Sequence, residues 1–568
     1  ADVLSASGKG SSILASDLTL TATSTGSVNA VRVADGAAIE LQRVSIQSSG
    51  FIGAVAVEGV GSSLSADGVD ITAENGRGIG VTSAALTFRN GSINAKGDGI
   101  TLSSLYQKPG GTAVVSHSRI TSQNGNGINV NADQAAADLD SVQVTALGDY
   151  GVAIWMPGSN TRVDVKDSIL QTRGQSAVAI DNRGGVFTMD GGSISTLGDN
   201  SHALYASPDT TNSPGAVFNV SRVLIETSGR GSVGALARMA GASISLSNSS
   251  IVTHGDLGYG LFASGRGASV ELQDSDVQTA GEQAHGLAIS NNATTRFQGS
   301  TVVTNGSNAH GIVSFATGAG VVNDVEVTSS HIQTEDGAGI LVNGGGLTTR
   351  FTDSSLVGRS GGEQGTALWI TDRASGVLAG AVQLDAVRSN LFGDVLVDGG
   401  SLQLSLADHS SLDGAIKGGS RDTQLSLDDS SVWTLRGDSQ LTRLANNGVV
   451  EFADPGLAGA FKQLQVSGDL EGDGHYIMNT DLGLQQGDRL IVGGQVTGNN
   501  DILVRNSGSE PGAEGQSLTL VQSAGGPGSF SLANRGGVVD AGTYRYGLAA
   551  DAQGLSLIHI SEPTRQAE

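Results

Sequence analysis

The side chains with chemical potential in this sequence are carboxylates, one exposed-looking tripeptide and a column of rings. Asp140, Asp167, Asp274 and Asp353 recur at the start of similar segments. Carboxylates gathered on one face could serve as acid and base in glycosidic cleavage, which needs a pair at defined spacing. A repeated Asp at the head of a strand has a plainer use as a turn cap, its oxygens accepting backbone N–H groups, and this second role is the one expected here. Gly437-Asp438-Ser439 could present a serine nucleophile. No base or oxyanion donor is marked near it, and both are required. Arg436-Gly437-Asp438 is the tripeptide that integrins read, and it is the candidate binding site; the alternative is a structural turn. Tyr259, His285 and His310 precede three successive copies of one segment, with Tyr150 and His202 at the same place elsewhere. Stacked rings at a corner are expected there rather than a metal or pH-sensing site, because no carboxylate recurs beside them.

The segments that must position these groups repeat. A small residue followed by aliphatic residues recurs at Ala30, Ala54, Gly78, Gly99, Gly127, Gly151, Ala177, Ala203, Ala235, Gly260, Gly286, Gly311, Gly339 and Ala367, a mean period of about 26 residues. Inside each unit lies a motif of the form Asp/Ser-Ser-x-Ile/Val-x-Thr, as in Asn248-Ser249-Ser250-Ile251-Val252-Thr253 and Ser329-Ser330-His331-Ile332-Gln333-Thr334. A weaker alternation precedes it, as in Ala268-Ser269-Val270-Glu271-Leu272. Three short period-2 segments separated by Gly, Asn, Ser and Asp leave no room for a helix. The pattern predicts an all-β chain: a right-handed parallel β-helix, three short strands per coil, as a single elongated solenoid with a C-terminal cap. Glycine is expected where a corner needs positive φ or where the interior is too narrow for a side chain.

Composition agrees. Of 568 residues 85 are Gly, 8 Pro and none Cys, and only 4% are aromatic. Glycine without a three-residue period and scarce proline exclude collagen, and 38% hydrophobic residues argue against wholesale disorder. The net charge of −24 disfavours nucleic acid as a partner. Lack of cysteine excludes thiolate catalysis and Cys-ligated zinc, and no cofactor or metal is expected. The chain divides into 1–372 (repeats), 373–430 (shorter coils), 431–554 (a denser cap) and 555–568.

From Trp433 to about Gly554 the sequence resembles the C-terminal part of pertactin-like autotransporter passenger domains. The resemblance is carried in order by Phe461-Lys462-Gln463-Leu464-Gln465-Val466, Asp488-Arg489-Leu490-Ile491-Val492, Arg505-Asn506-Ser507-Gly508-Ser509-Glu510-Pro511, Leu518-Thr519-Leu520-Val521-Gln522, Phe530-Ser531-Leu532-Ala533-Asn534 and Gly542-Thr543-Tyr544-Arg545-Tyr546. It implies a β-helical rod of a Gram-negative bacterium that crosses the outer membrane through its own C-terminal β-barrel and ends on the cell surface or is released. It also implies that 431–554 is the cap that nucleates folding, that the passenger is a non-enzymatic monomer, and that its partner is a host cell-surface or matrix protein or a complement regulator. Absence of Cys suits a chain threaded through a narrow barrel. Both ends read as truncated, the barrel being absent. Residues 555–568 resemble the translation of a sequencing adapter and are expected to be a non-native tail with few contacts.

Two rival functions are weighed against this one. One is a β-helical polysaccharide lyase or hydrolase; Asn479-Thr480-Asp481 resembles the opening of a polygalacturonase signature, but the later pieces do not follow. The other is a structural spacer for an N-terminal domain. Serine protease passengers carry Gly-Asp-Ser-Gly, whereas Gln440 follows Gly437-Asp438-Ser439 here. Binding is expected in corner excursions such as 207–214 and Ser104–Gly111.

Overall fold

Strand alternation closes into coils in the computed structural model, which describes residues 2–24, 26–208, 215–359, 365–456, 460–508, 511, 517–551 and 554–559. The chain forms two compact units, Ala1–Ala309 and His310–Glu568, the division falling inside the 1–372 repeat block. Each is built as a parallel β-solenoid. Three short strands make a coil, as in Leu261–Ser264, Ser269–Gln273 and Asp276–Thr279. We call their ladders the anchor, middle and motif faces. Each strand pairs in parallel with its counterpart one coil on: Leu261 with Leu287, Leu272 with Phe297, Val277 with Val302. Consecutive coils therefore rise about 4.8 Å. Inward positions carry Val, Ile, Leu, Ala and Phe with almost no exposure, for example Ile244, Val270, Phe297 and Val277.

The motif is explained by two buried hydroxyl columns. The motif serine accepts a backbone N–H from the previous coil and donates to the carbonyl two residues before itself. Ser275 Oγ accepts from Ser249 N at 2.9 Å and donates to Gln273 O at 2.6 Å; Ser300, Ser354, Ser389 and Ser410 accept in the same way. The motif threonine turns its Oγ1 to a carbonyl of the following turn: Thr196 to Ser201, Thr253 to Gly258 and Thr304 to Ala309 at 2.6–2.7 Å. These bonds satisfy backbone groups that a corner would otherwise bury unpaired.

Two expectations are corrected here. Asp167, Asp274 and Asp353 stand at the corner before the motif serine, with φ of 45°, 47° and 52°, and the adjacent serine does the capping expected of them. The capping aspartates lie at another corner: Asp149, Asp199 and Asp256 accept from Gln175, Arg230 and Glu282 N at 2.8–2.9 Å. Nor is the left-handed corner reserved for glycine, since Arg222, Asn248, Ser329 and Arg388 also occupy it. Short polar side chains tolerate that conformation, and the arginines gain an ion pair across coils, Arg388 with Asp353 at 2.6 Å and Arg222 with Asp190. Glycine's other expected use does hold: a methyl on Gly260 would collide with Val277 Cγ1 and Gly286 O.

The outward positions of the first unit differ by face. On the middle face Asp138, Asp164, Thr188, Asn219, Ser245 and Glu271 follow one another in register. On the motif face the sequence is Thr145, Gln171, Ser195, Glu226. The anchor face runs Trp155, Asp181, Tyr205, Leu236, Phe262, Ala288. The anchor-face column is polar before this stretch, with Arg32, Thr101 and Asn129, and turns mainly apolar from Trp155 to Ala288.

In the second unit the coils shorten: Leu384 pairs with Leu404, Leu404 with Leu425 and Leu425 with Leu444, about 20 residues each. Larger rings then fill the interior. Trp433, Phe452, Tyr476 and Tyr546 are fully buried, and Trp433 Nε1 donates to Gly414 O at 2.9 Å. On the anchor face parallel stacking ends at Leu518–Ser523, whose far edge is covered by antiparallel strands: Val539–Ala541 pairs Tyr544–Asp551, which pairs Gly554–His559, which pairs Leu518–Ser523. This arrangement blunts an edge that would otherwise template another strand. It also corrects the expectation that residues from 555 on make few contacts. Residues 555–557 are paired on both sides, 558 and 559 on one, and Leu557 is fully buried, because alternating Leu555, Leu557 and His559 fit a strand. Residues 560–568 lie outside the described residues.

Candidate functional site

Strand Val432–Leu435 buries Trp433 and delivers Arg436, Gly437 and Asp438 to the surface of the second unit. Arg436 forks onto Asp413 of the preceding coil, Nη2 lying 2.7 Å from Oδ2 and Nε also bonded. That carboxylate raises the Arg436 guanidinium above its ordinary value. Asp438 Oδ1 accepts the backbone N–H of Gln463 in the following coil at 2.8 Å. Gly437 O accepts the Ser439 hydroxyl at 3.0 Å, and Ser439 Oγ in turn accepts Ile416 N. The tripeptide is thus bonded to the coil before it and the coil after it. Arg436 and Asp413 also line a shallow groove with Val357, Arg359 and Phe392, about 540 Å³ in volume.

The remaining candidates resolve into structural bonds. Ser439 is buried with its proton committed to Gly437 O, not to a base. Asn479 donates through N and Nδ2 to Asp488 Oδ2 at 2.7 and 2.9 Å, while Asp488 Oδ1 accepts Lys462 N at 2.7 Å. Burial raises the Asp488 carboxyl despite these donors. Asp481 caps its own turn through Leu484 N at 2.9 Å. Asp353 is held by Arg388. Among the described residues no three His, Asp or Glu side chains converge as a metal site would require.

One pair of the expected ring column is stacked. Tyr259 and His285 stack with centroids 5.0 Å apart at 23°. His202 Nδ1 accepts Val233 N at 3.1 Å, and in the second unit His310 Nδ1 accepts Ala338 N at 2.8 Å. Burial pushes both imidazoles down to about 4. Of the two excursions, 209–214 lie outside the described residues. Ser104–Gly111 is tied at its base by Ser83, whose Oγ accepts Leu105 N and donates to Pro109 O, and it carries Tyr106 at 88% exposure. What sequence reasoning missed is the apolar exterior of the anchor face. Its signal was legible: Ile154-Trp155, Leu204-Tyr205 and Leu261-Phe262 are apolar at both parities.

Parallel coils, side chains spent on coil-to-coil bonds and antiparallel closing strands define a parallel β-solenoid with a covered C-terminal edge. Residues 441–558 match the family model described as Pertactin. It is 41% identical over 170 residues to the pertactin autotransporter of Bordetella parapertussis, a match covering 29% of this chain and 18% of that protein. It is 34% identical over 230 residues to the autotransporter adhesin/invasin TibA of Escherichia coli O78:H11, covering 39% and 21%. It is 31% identical over 216 residues to the BrkA autotransporter of Bordetella pertussis, covering 36% and 20%. The chain spans about a fifth of the length of these relatives.

Proposed function

We propose that this chain is the passenger of a surface-displayed or released autotransporter, and that it acts by binding a host surface rather than by catalysis. The observation that carries the reading is the pertactin-type segment at 441–558, in a chain similar to an adhesin/invasin over 230 residues. The solenoid supports it. The carboxylates and the serine that could do chemistry are engaged in holding coils together, while outward positions and excursions such as Tyr106 remain for contact. The partner would be a host cell-surface or matrix protein or a complement regulator, and delivery would use a β-barrel of the same protein.

For Arg436-Gly437-Asp438 we propose the structural role over the integrin one. Receptor contact would have to draw Arg436 from Asp413 and Asp438 from Gln463. Saturable binding of the purified chain to cultured epithelial cells tests the overall reading; release of reducing sugar from polysaccharides would favour the enzymatic rival instead.

A further inference from the structure

Over six coils of the first unit, from Trp155 to Ala288, one outward column of the anchor face is mainly apolar. A sheet apolar on both sides normally has a layer packed on each, and here one side is the core. From Trp155 to Ala288 the other side presents Trp155, Tyr205 and Phe262 half-buried, with Asp181, Leu236 and Ala288 buried between and beside them. We propose that this strip is a stacking platform for an extended, uncharged, β-1,4-linked glycan.

The spacing chooses the occupant. The three rings stand on every second coil: Trp155 pairs with Asp181 and Asp181 with Tyr205, then Tyr205 pairs with Leu236 and Leu236 with Phe262. Two coils advance about 10 Å, the sum of two inter-strand spacings. In an extended β-1,4 chain each sugar is turned over relative to the last, so every second sugar offers the same face, as every second coil offers a ring. Alternate sugars therefore meet successive rings, C–H face on π-face. A linear chain also fits a straight row of strands better than a rounded protein does.

Charge chooses it further. The one carboxylate in the strip, Asp181, is neutralised by Arg183 through two bonds of 2.6 and 2.9 Å, and Arg183 lies over the Tyr205 ring at 5.1 Å. The strip is locally neutral in a chain of net charge −24. That charge opposes both an anionic glycan and a second copy of the chain. Arg183 adds N–H donors beside a ring, the pairing of apolar plane and polar edge that a sugar requires.

The inference rests on the host-surface reading and names where that contact is made. Its test is titration calorimetry of the whole chain with cellohexaose and chitohexaose, with melting of each variant followed in parallel. At least one hexamer is expected to bind saturably. Trp155→Ala and Phe262→Ala should each weaken it about tenfold, a stacking-sized loss, at a temperature where the melts show each variant folded. Trp155→Phe should retain binding, and Glu271→Ala on the middle face should leave it untouched. The proposal is overturned if neither hexamer binds at millimolar concentration, or if the ring variants bind as the parent does. It is equally overturned if heparin binds through these rings in their place, or if sedimentation finds a dimer that Trp155→Ala abolishes. Cell binding that survives Trp155→Ala while glycan binding fails would sink this inference and leave the host-surface reading standing.

Discussion

The backbone N–H of Ser249 reaches the hydroxyl of Ser275, one coil further on, at 2.9 Å, and that hydroxyl passes its own proton to Gln273 O. One serine thus satisfies an N–H and a carbonyl at a buried corner. Ser275→Ala should strand the Ser249 amide and cost about 1–3 kcal/mol, the usual penalty for an unpaired buried donor. Gln278→Ala, on the exposed side of the same strand, should stay within about 0.5 kcal/mol. Hydrogen exchange of the Ser249 amide, faster in the first variant and unchanged in the second, checks both.

Asp438 should matter to the next coil more than to a receptor. In Asp438→Ala the Gln463 amide loses its acceptor, and its exchange should accelerate. Arg436→Ala removes a half-exposed ion pair that solvent screens, so its stability cost should fall below about 1 kcal/mol. Neither change should alter binding to epithelial cells. A loss of adhesion in both variants with the melt intact would restore the integrin reading.

Acid should loosen the coils through two histidines. His202 and His310 fall from 6.5 to about 4 on folding because burial disfavours the imidazolium. The unfolded chain then binds more protons between these values, so stability is full above pH 6.5 and declines as pH falls toward 4. Each site contributes at most ~3 kcal/mol, since a tenfold change in proton affinity is worth about 1.4 kcal/mol. Melting should occur at lower temperature at pH 5 than at pH 7.5. His202→Gln, whose amide oxygen can still accept the Val233 N–H, should narrow that difference.

The closing strand should be part of the cap's stability. Leu557 is fully buried and pairs with Leu518 and Leu548, so Leu557→Ala should cost about 2–5 kcal/mol within the cap. Limited proteolysis should then cut earlier near Leu518–Ser523. Unchanged proteolysis would mean that the edge is held without it.

Much of the fold was legible because a solenoid repeats its physics. The anchor residues, the motif and the narrow interior at Gly260 recur often enough to be read without a structure. Roles within the motif were harder. Asp274 and Ser275 can both accept a backbone N–H, and only the corner's left-handed turn places the serine, which can also donate, on the inside. Arg222 and Arg388 could not be recognised as corner residues, since what admits them is a carboxylate one coil away. The strand at 554–559 was hidden by its unusual sequence, although its alternation suited an edge. For Arg436 and Asp438 the turn reading was available, but not the partners Asp413 and Gln463.

The central proposal is that this chain acts by binding a host surface. Titrating the fluorescently labelled, purified chain onto cultured epithelial cells and reading bound label by flow cytometry tests it most directly. The account predicts a saturable curve that unlabelled chain competes away. Binding that rises linearly and resists competition would contradict it.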